Sequence, residues 1–258
     1  MKYETIKLEK KNGMAKVILN RPEAKNAMSG QLLKELLSAF QELKEDESTG
    51  VVFVKGAGND FCAGLDLKFV LDALESKSEI PLRENIPMGP NIYKAIEELP
   101  MPVIAAVHGH AVAGGFILAY FCDLIIASED ARIGDAHARW GFVPGWQEPQ
   151  RLARSIGIRK AKQMFLTGEL LSAKEAQEIG LVYKICPEGK LDEAVDELGA
   201  KLLKLSKISL GRIKYQLNSV MKTDWQTTLE IDSLMRKDLF GGFITTDAFE
   251  RLKVFEKK

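Results

Sequence analysis

Two short segments that contain almost no polar residues most constrain the fold of this chain. The segments are 51–55 (VVFVK) and 103–107 (VIAAV), and a glycine-containing turn follows each of them. Short apolar runs of this kind are typical of strands that are buried on both faces of a parallel sheet. Parallel strands need long crossover connections, which are usually helices. The two segments therefore predict an α/β protein.

Strand and helix patterns alternate through the first 190 residues. Strand patterns at 3–8 and 14–19 flank the sequence Lys11-Asn12-Gly13, which is a hairpin signal. Ser29 is placed to cap a helix whose leucines recur at i, i+3/i+4 and i+7. Further helices are predicted at 91–99, 114–121, 149–156 and 158–166, and further strands at 123–128 and 181–186.

The pattern changes near residue 191, after which no strand signal remains. Amphipathic helical patterns occupy 191–205, 207–221, 225–240 and 247–256. We therefore predict a β/α core over residues 1–190 and a C-terminal helical region over residues 191–258. Because these helices lack a strand layer of their own to cover, we expect them to pack on a neighbouring copy of the chain.

Composition excludes several classes of protein. The chain has 36 Lys and Arg against 36 Asp and Glu, whereas a polyanion binder needs clustered excess basic charge. Three scattered cysteines form neither a disulfide framework nor a zinc motif, so we expect no metal and a reducing, cytoplasmic compartment. No run of about 18 apolar residues occurs, and the first residues are charged, so we expect neither a membrane span nor a signal peptide.

Several ordered motifs resemble those of one family. They are segment 19–29 (LNRPEAKNAMS), segment 61–68 (FCAGLDLK), segment 107–115 (VHGHAVAGG) with Cys122-Asp123, and shorter matches at 141–145, 150–152 and 166–168. Together they resemble the crotonase (enoyl-CoA hydratase/isomerase) superfamily. The resemblance implies a crotonase-like spiral of ββα units with a C-terminal helical oligomerisation region that forms a homotrimer or a dimer of trimers. It also implies acyl-CoA thioester substrates without a separate cofactor, because coenzyme A is part of the substrate.

The resemblance implies that two main-chain N–H groups form an oxyanion hole. A thioester that reacts at its α- or β-carbon passes through an enolate, whose oxygen such donors stabilise by roughly 3–4 kcal/mol each. By resemblance the donors belong to Leu65 and Gly114. Gly114-Gly115 also opens an apolar helix, where the helix dipole favours an anion, although the pair could instead serve tight packing. By the same resemblance Ala24, Lys25, Ala63, Gly64 and Asp66 line the coenzyme A channel.

The sequence departs from the family pattern where hydratases carry two carboxylates that position and activate water. By resemblance those positions are occupied here by Ile117, which cannot transfer a proton and is expected only to contact the substrate, and by His137. Histidine ordinarily titrates near neutral pH and suits general acid–base catalysis. We therefore expect His137 to be the single acid/base. Asp135 could orient its imidazole, but a surface ion pair with Arg139 is the favoured role for Asp135.

Other residues of the same region could meet the acyl group. Glu148 is the nearest spare carboxylate, although a glutamate before Pro149 also suits the first turn of a helix. Trp140 and Trp146 could shape an acyl pocket or could pack in the core. His108 and His110 are expected to serve the scaffold of the oxyanion turn.

Three functions remain open on these residues. The leading hypothesis is an acyl-CoA-processing enzyme that combines the oxyanion hole with one histidine, either an enoyl-CoA isomerase or an atypical hydratase. The alternative enzymes are an acyl-CoA decarboxylase and a C–C hydrolase of the same superfamily. The non-catalytic alternative is an acyl-CoA-binding homologue that has lost the catalytic carboxylates.

Overall fold

The computed structural model describes residues 3–76, 80–85, 87–236, 245 and 247–255. None of the helices in these ranges is long and apolar enough to cross a lipid bilayer. The elements in chain order are β1 (Ile6–Lys11), β2 (Met14–Leu19), a 3-10 turn (Pro22–Ala24), α1 (Gly30–Lys44), β3 (Val51–Gly56), α2 (Leu67–Glu75), α3 (Ile80–Asn85), α4 (Met88–Glu98), β4 (Val103–Val107), β5 (His110–Val112), α5 (Gly114–Phe121), β6 (Leu124–Ser128), β7 (Arg132–Gly134), a second 3-10 turn (His137–Trp140), α6 (Glu148–Ile156), α7 (Ile158–Thr167), β8 (Leu171–Ser172), α8 (Ala173–Glu178), β9 (Lys184–Cys186), α9 (Leu191–Leu203), α10 (Lys207–Val220), α11 (Trp225–Arg236) and α12 (Ala248–Phe255).

A six-stranded sheet forms the centre of the molecule, in the order β1-β2-β3-β4-β6-β9. β1 and β2 pair antiparallel, which confirms the predicted hairpin, and every later neighbour in the sheet pairs parallel. The two apolar segments became the adjacent central strands β3 and β4, and all five residues of β4 are buried. The α/β prediction is therefore confirmed.

Side chains on alternate positions of the central strands enter two separate cores. Val52 and Val54 join a large cluster that includes the apolar stripe of α1, capped as predicted by the Ser29 side chain. Val51 and Phe53 face a second cluster, which α9 covers with residues such as Val195. The first helix after residue 190 thus packs on the sheet of its own chain, because the second face of a parallel sheet has to be covered.

A second sheet of three short strands, β5-β7-β8, was not predicted. Its strands are only two or three residues long, too short to show a periodic pattern. The helix α2 was not predicted either, while the last strand begins at Lys184 rather than at 181. Of the predicted helix 225–240, residues 225–236 are helical and residues 237–240 lie outside the described ranges.

Candidate active site

The small sheet brings two chain segments together beside the end of the large one. β5 leads into the glycine pair that begins α5, and β7 leads into Asp135 and His137. β5 and β7 pair parallel with Val112 opposite Gly134, and the N–H of Ala113 donates to the carbonyl of Gly134 at 3.0 Å. Because parallel strands end at the same edge, the segments that follow them emerge next to each other.

The main-chain nitrogens of Leu65 and Gly114 lie side by side at this edge. A side-chain carbon built on Gly114 would lie 3.6 Å from the nitrogen of Leu65. The loop around Leu65 is held by Met28, whose N–H donates to Gly64 at 2.7 Å and whose carbonyl accepts from Asp66 at 3.1 Å. Within the described residues neither N–H donates to another backbone group. The pair is therefore free to receive an oxyanion.

The two glycines of the pair have different roles. A side-chain carbon on Gly115 would lie 2.1 Å from the carbonyl oxygen of Cys62, so that glycine is required for packing, whereas the space at Gly114 is open enough for ordinary contacts. Ala113, just before them, has φ 49° and ψ −120°, a conformation that a residue with a side chain adopts at a cost of about 1–3 kcal/mol. Backbone strain of this kind concentrates at functional sites.

His137 and Asp135 form a partly buried dyad in the segment that follows β7. The main-chain N–H of His137 donates to Asp135 Oδ1 at 3.1 Å, and its Nδ1 contacts Asp135 Oδ2 closely. Asp135 is fully buried, so its expected surface ion pair with Arg139 is wrong. A buried carboxylate needs a donor, and the adjacent imidazole supplies one. With Nδ1 as the donor, Nε2 of His137 carries the lone pair that can accept a proton.

Glu148 lies behind this dyad. It is the first residue of α6, follows two left-handed residues, Trp146 (φ 56°) and Gln147 (φ 65°), and is fully buried. One of its carboxylate oxygens lies within 4.8 Å of a carboxylate oxygen of Asp135 and of a ring nitrogen of His137, a spacing that a metal ion could also bridge. Neither Glu148 oxygen has a hydrogen-bond partner in the described structure. Burial, followed by the nearby charge of Asp135, raises the pKa of Glu148 well above its ordinary value, which favours the protonated form of this side chain.

The nitrogen pair and the dyad open into one cavity of about 310 Å³. Its walls come from the oxyanion segments, from α2 and α3, and from the segment after β7. The lining residues are Ala63, Leu65, Leu67, Val70, Leu74, Leu82, Val112, Ala113, Gly114, Ala136, His137, Trp140, Phe142, Val143, Gly145 and Trp146. Among the lining residues in the described part of the chain, His137 is the only one with an ionisable side chain. The wall formed by α2 was not predicted, although Leu67, Val70 and Leu74 have the i, i+3, i+7 spacing of one apolar helix face.

Trp146 and Trp140 both line the cavity but differ in their surroundings. The Trp146 indole packs on Gly89 so closely that a side-chain carbon there would lie 2.6 Å from the ring, and Tyr93 tilts against it with ring centres 5.5 Å apart. Trp140 is 65% exposed at the mouth. Trp146 is thus a fixed part of the wall, while Trp140 borders solvent.

Five of the predicted binding residues do not line this cavity, and Gly64, which precedes the donor Leu65, is one of them. Ala24 ends the first 3-10 turn, and the adjacent Lys25 is largely exposed with Nζ 3.8 Å from Asp60. Asp66 caps α2 and pairs with Arg21 at 2.9 Å. Ile117 is fully buried in the large core. These positions remain predictions for coenzyme A binding, except that the buried side chain of Ile117 has no access to the cavity.

The remaining two histidines are held by the loop that precedes Phe61. His108 Nε2 lies 3.0 Å from the carbonyl oxygen of Gly58, and His110 Nδ1 lies 2.6 Å from Asp60. Neither residue lines the cavity. Their contacts fit the scaffold role that was expected for them.

Comparison with known proteins identifies the family. Residues 9–253 match the enoyl-CoA hydratase/isomerase family. The chain is 34% identical over 260 residues to crotonyl-CoA hydratase of Syntrophomonas wolfei, covering 100% of this chain and 97% of that protein. It is 33% identical over 260 residues to short-chain-enoyl-CoA hydratase of Clostridium acetobutylicum, with coverage of 100% and 97%. Enoyl-CoA hydratase from Bacillus anthracis superimposes with a TM-score of 0.90 at 33% identity, covering 98% of this chain and 96% of that one. The chain therefore belongs to the enoyl-CoA hydratase/isomerase family and has the crotonase fold.

Proposed function

We propose that this protein is an enoyl-CoA isomerase or atypical hydratase that uses His137 as its single acid/base. The observation that carries the proposal is that Leu65, Gly114 and His137 line one apolar cavity. The relatives named above are hydratases of crotonyl-CoA and of short-chain enoyl-CoA, which supports a thioester substrate. The carbonyl oxygen of the thioester would accept hydrogen bonds from the N–H groups of Leu65 and Gly114.

Both reactions balance with one base. In isomerisation, Nε2 of His137 removes a proton from Cα of a 3-enoyl thioester, and the resulting dienolate takes the same proton back at Cγ to give the 2-enoyl thioester. In hydration, Nε2 takes a proton from water as the water oxygen bonds to Cβ of a 2-enoyl thioester. The imidazolium then protonates Cα, so that one water has been added.

Asp135 supports either reaction through electrostatics. The imidazolium that forms is stabilised by the adjacent buried carboxylate, which also fixes the tautomer with Nε2 unprotonated. The enolate forms within reach of the oxyanion donors, and such interactions are strengthened where water is excluded. Glu148 does not line the cavity, so its role in this proposal is to act on the dyad rather than on substrate.

Deuterium exchange tests the proposal. Crotonyl-CoA and a 3-enoyl-CoA would be incubated with enzyme in D₂O, and label at Cα and Cγ measured by NMR. His137→Asn keeps a nitrogen donor for Asp135 but lacks Nε2, so we expect at least a 100-fold loss of exchange. His110→Asn is the matched control outside the cavity and should retain the wild-type rate.

Three results would overturn the proposal. Exchange that survives in His137→Asn would exclude this residue as the base. Release of CO₂ from a β-carboxy acyl-CoA, or cleavage of a β-keto acyl-CoA, without exchange would identify a decarboxylase or a C–C hydrolase. Acyl-CoA binding without any turnover would identify a non-catalytic binder.

The proposal includes a homotrimer or a dimer of trimers. The C-terminal helices carry exposed apolar side chains that support a contact between copies, among them Ile213, Leu217 and Val220 on α10 and Trp225 and Leu229 on α11. Light scattering after size exclusion would give three or six times the chain mass. A monomer mass would exclude this part of the proposal.

A further inference from the structure

Two rows of apolar side chains face the cavity and are also exposed to solvent. Leu67 (40% exposed) and Leu74 (61%) stand on α2, while Trp140 (65%), Phe142 (38%) and Val143 (88%) stand on the opposite wall. Isolated exposed apolar residues are ordinary, but a contiguous set on both walls of a cleft marks an apolar ligand. The cleft is therefore lined by apolar side chains both in its enclosed part and at its solvent-exposed mouth.

The row on α2 runs away from the oxyanion hole. Leu67 lies two residues after the oxyanion donor Leu65, and Leu67, Val70 and Leu74 share one face of the helix. From Leu67 to Leu74 the helix rises about 10 Å. An extended alkyl chain advances about 1.25 Å per bond, given a bond of about 1.5 Å and an angle near 111°. About eight bonds are needed to reach from one end of the row to the other.

The opposite wall gives no charged group to receive a polar end of the acyl chain. Among the described lining residues His137 is the only ionisable side chain, and it stands beside the oxyanion hole. Beyond it come Trp140, Phe142 and Val143. A carboxylate placed between these walls would lose its hydration without gaining a charged partner among the described lining residues other than His137, which is costly.

We infer that the substrate carries an unbranched, uncharged acyl chain of about eight to twelve carbons. This inference rests on the proposed function, whose substrate class it names. A four-carbon acyl group ends near Leu67 and leaves Leu74 and Val143 in water. A longer chain covers both rows at once.

Binding of saturated acyl-CoAs tests the inference without any turnover. Calorimetry with butyryl-, octanoyl- and decanoyl-CoA should show affinity that rises at least about tenfold from butyryl to decanoyl, since each buried methylene favours binding. Equal affinity across the series, or a loss beyond four carbons, would overturn the inference. Tighter binding of benzoyl-CoA than of decanoyl-CoA would overturn it in favour of a ring.

Two leucines of α2 provide a matched pair of variants. Leu74→Gln places a polar group in the row, whereas Leu71→Gln alters a leucine that is 52% exposed on the same helix but does not line the cavity. We expect Leu74→Gln to weaken decanoyl-CoA binding about fivefold and to leave butyryl-CoA binding unchanged. Leu71→Gln should change neither affinity. Equal effects of the two variants would overturn the inference.

Val143→Gln repeats the binding test on the opposite wall. Because Val143 lies in a loop, a folding defect in α2 could not explain a loss of decanoyl-CoA affinity in this variant. The two proposals also fail separately. Tight decanoyl-CoA binding without turnover of any enoyl-CoA would leave the chain-length inference standing and remove the proposed function. Turnover of enoyl-CoAs with an acyl-CoA affinity that does not depend on chain length would remove the chain-length inference and leave the proposed function standing.

Discussion

The Asp135 carboxylate accepts hydrogen bonds from both the main-chain N–H and Nδ1 of His137, so it fixes the backbone and the ring together. The second bond leaves Nε2 as the ring nitrogen available to the cavity. A histidine held in this way can replace a carboxylate as a base, because Nε2 can accept a proton and the adjacent carboxylate stabilises the charged ring that results.

Asp135→Asn is expected to lower kcat by about 10²- to 10⁴-fold and to leave KM within about threefold. The amide has nearly the same shape but carries no charge to stabilise the imidazolium, and it can hold the ring in the wrong tautomer. Steady-state kinetics with crotonyl-CoA and a longer enoyl-CoA measure the change. Asp60→Asn alters the acid that binds His110 outside the cavity and should retain the wild-type kcat. An unchanged kcat in Asp135→Asn would show that the dyad does not take part.

The glycine pair should separate activity from folding. Gly114→Ala meets only ordinary contacts at 3.5–3.6 Å but places a methyl group beside the Leu65 nitrogen, so we expect a normal Tm and about a 10²- to 10³-fold loss of activity. Gly115→Ala would place a carbon 2.1 Å from the Cys62 carbonyl, so we expect a loss of about 3 kcal/mol or more in unfolding free energy. Thermal denaturation of both variants measures the change in stability, and steady-state kinetics measures the change in activity. Full activity in Gly114→Ala would contradict the oxyanion assignment.

Glu148 should make the folded state less stable as pH rises. Its pKa is raised in the folded protein by burial and by Asp135, so the folded state binds the proton more tightly than the unfolded chain. Stability is therefore lost as pH rises from about 4.5 toward the raised value. Glu148→Gln removes this titration, so its Tm should match the wild type near pH 5 and exceed it by about 3 °C near pH 8.

The control for this pH effect is Glu178→Gln on the surface of α8. Because the Glu178 side chain is exposed, the Tm of Glu178→Gln should equal that of the wild type at every pH. Differential scanning calorimetry from pH 5 to pH 8.5 provides the curves. A Tm difference between Glu148→Gln and wild type that does not grow with pH would show that Glu148 is ionised in the folded protein.

The three cysteines should be unreactive in the native state. All three thiols are buried, and burial raises the pKa of Cys62 to about 12. Because only the thiolate reacts, a disulfide reagent such as DTNB should titrate no thiol in native protein and three in guanidinium chloride. Rapid reaction of one equivalent would reveal a thiol that opens to solvent.

Local sequence patterns predicted much of the fold. The strands β3 and β4 are recognisable because a buried parallel strand has to be apolar on both faces, and α5 because its eight residues lack any charge. Such features depend on neighbouring residues, so they can be predicted before the fold is known. The donors Leu65 and Gly114 were instead expected from the resemblance of ordered motifs to the crotonase family, and their role stays a prediction.

Tertiary structure decided which predicted residues meet. Asp135 and Arg139 both lie near His137 in sequence, but the pairing of β5 with β7 buries Asp135 against the imidazole and places both beside Gly114. Glu148 lies behind the dyad because of the turn at Trp146 and Gln147. The apolar row of α2 faces Val143 only across the folded cleft. These contacts join distant segments, and periodicity along the chain carries no information about which distant faces pack together.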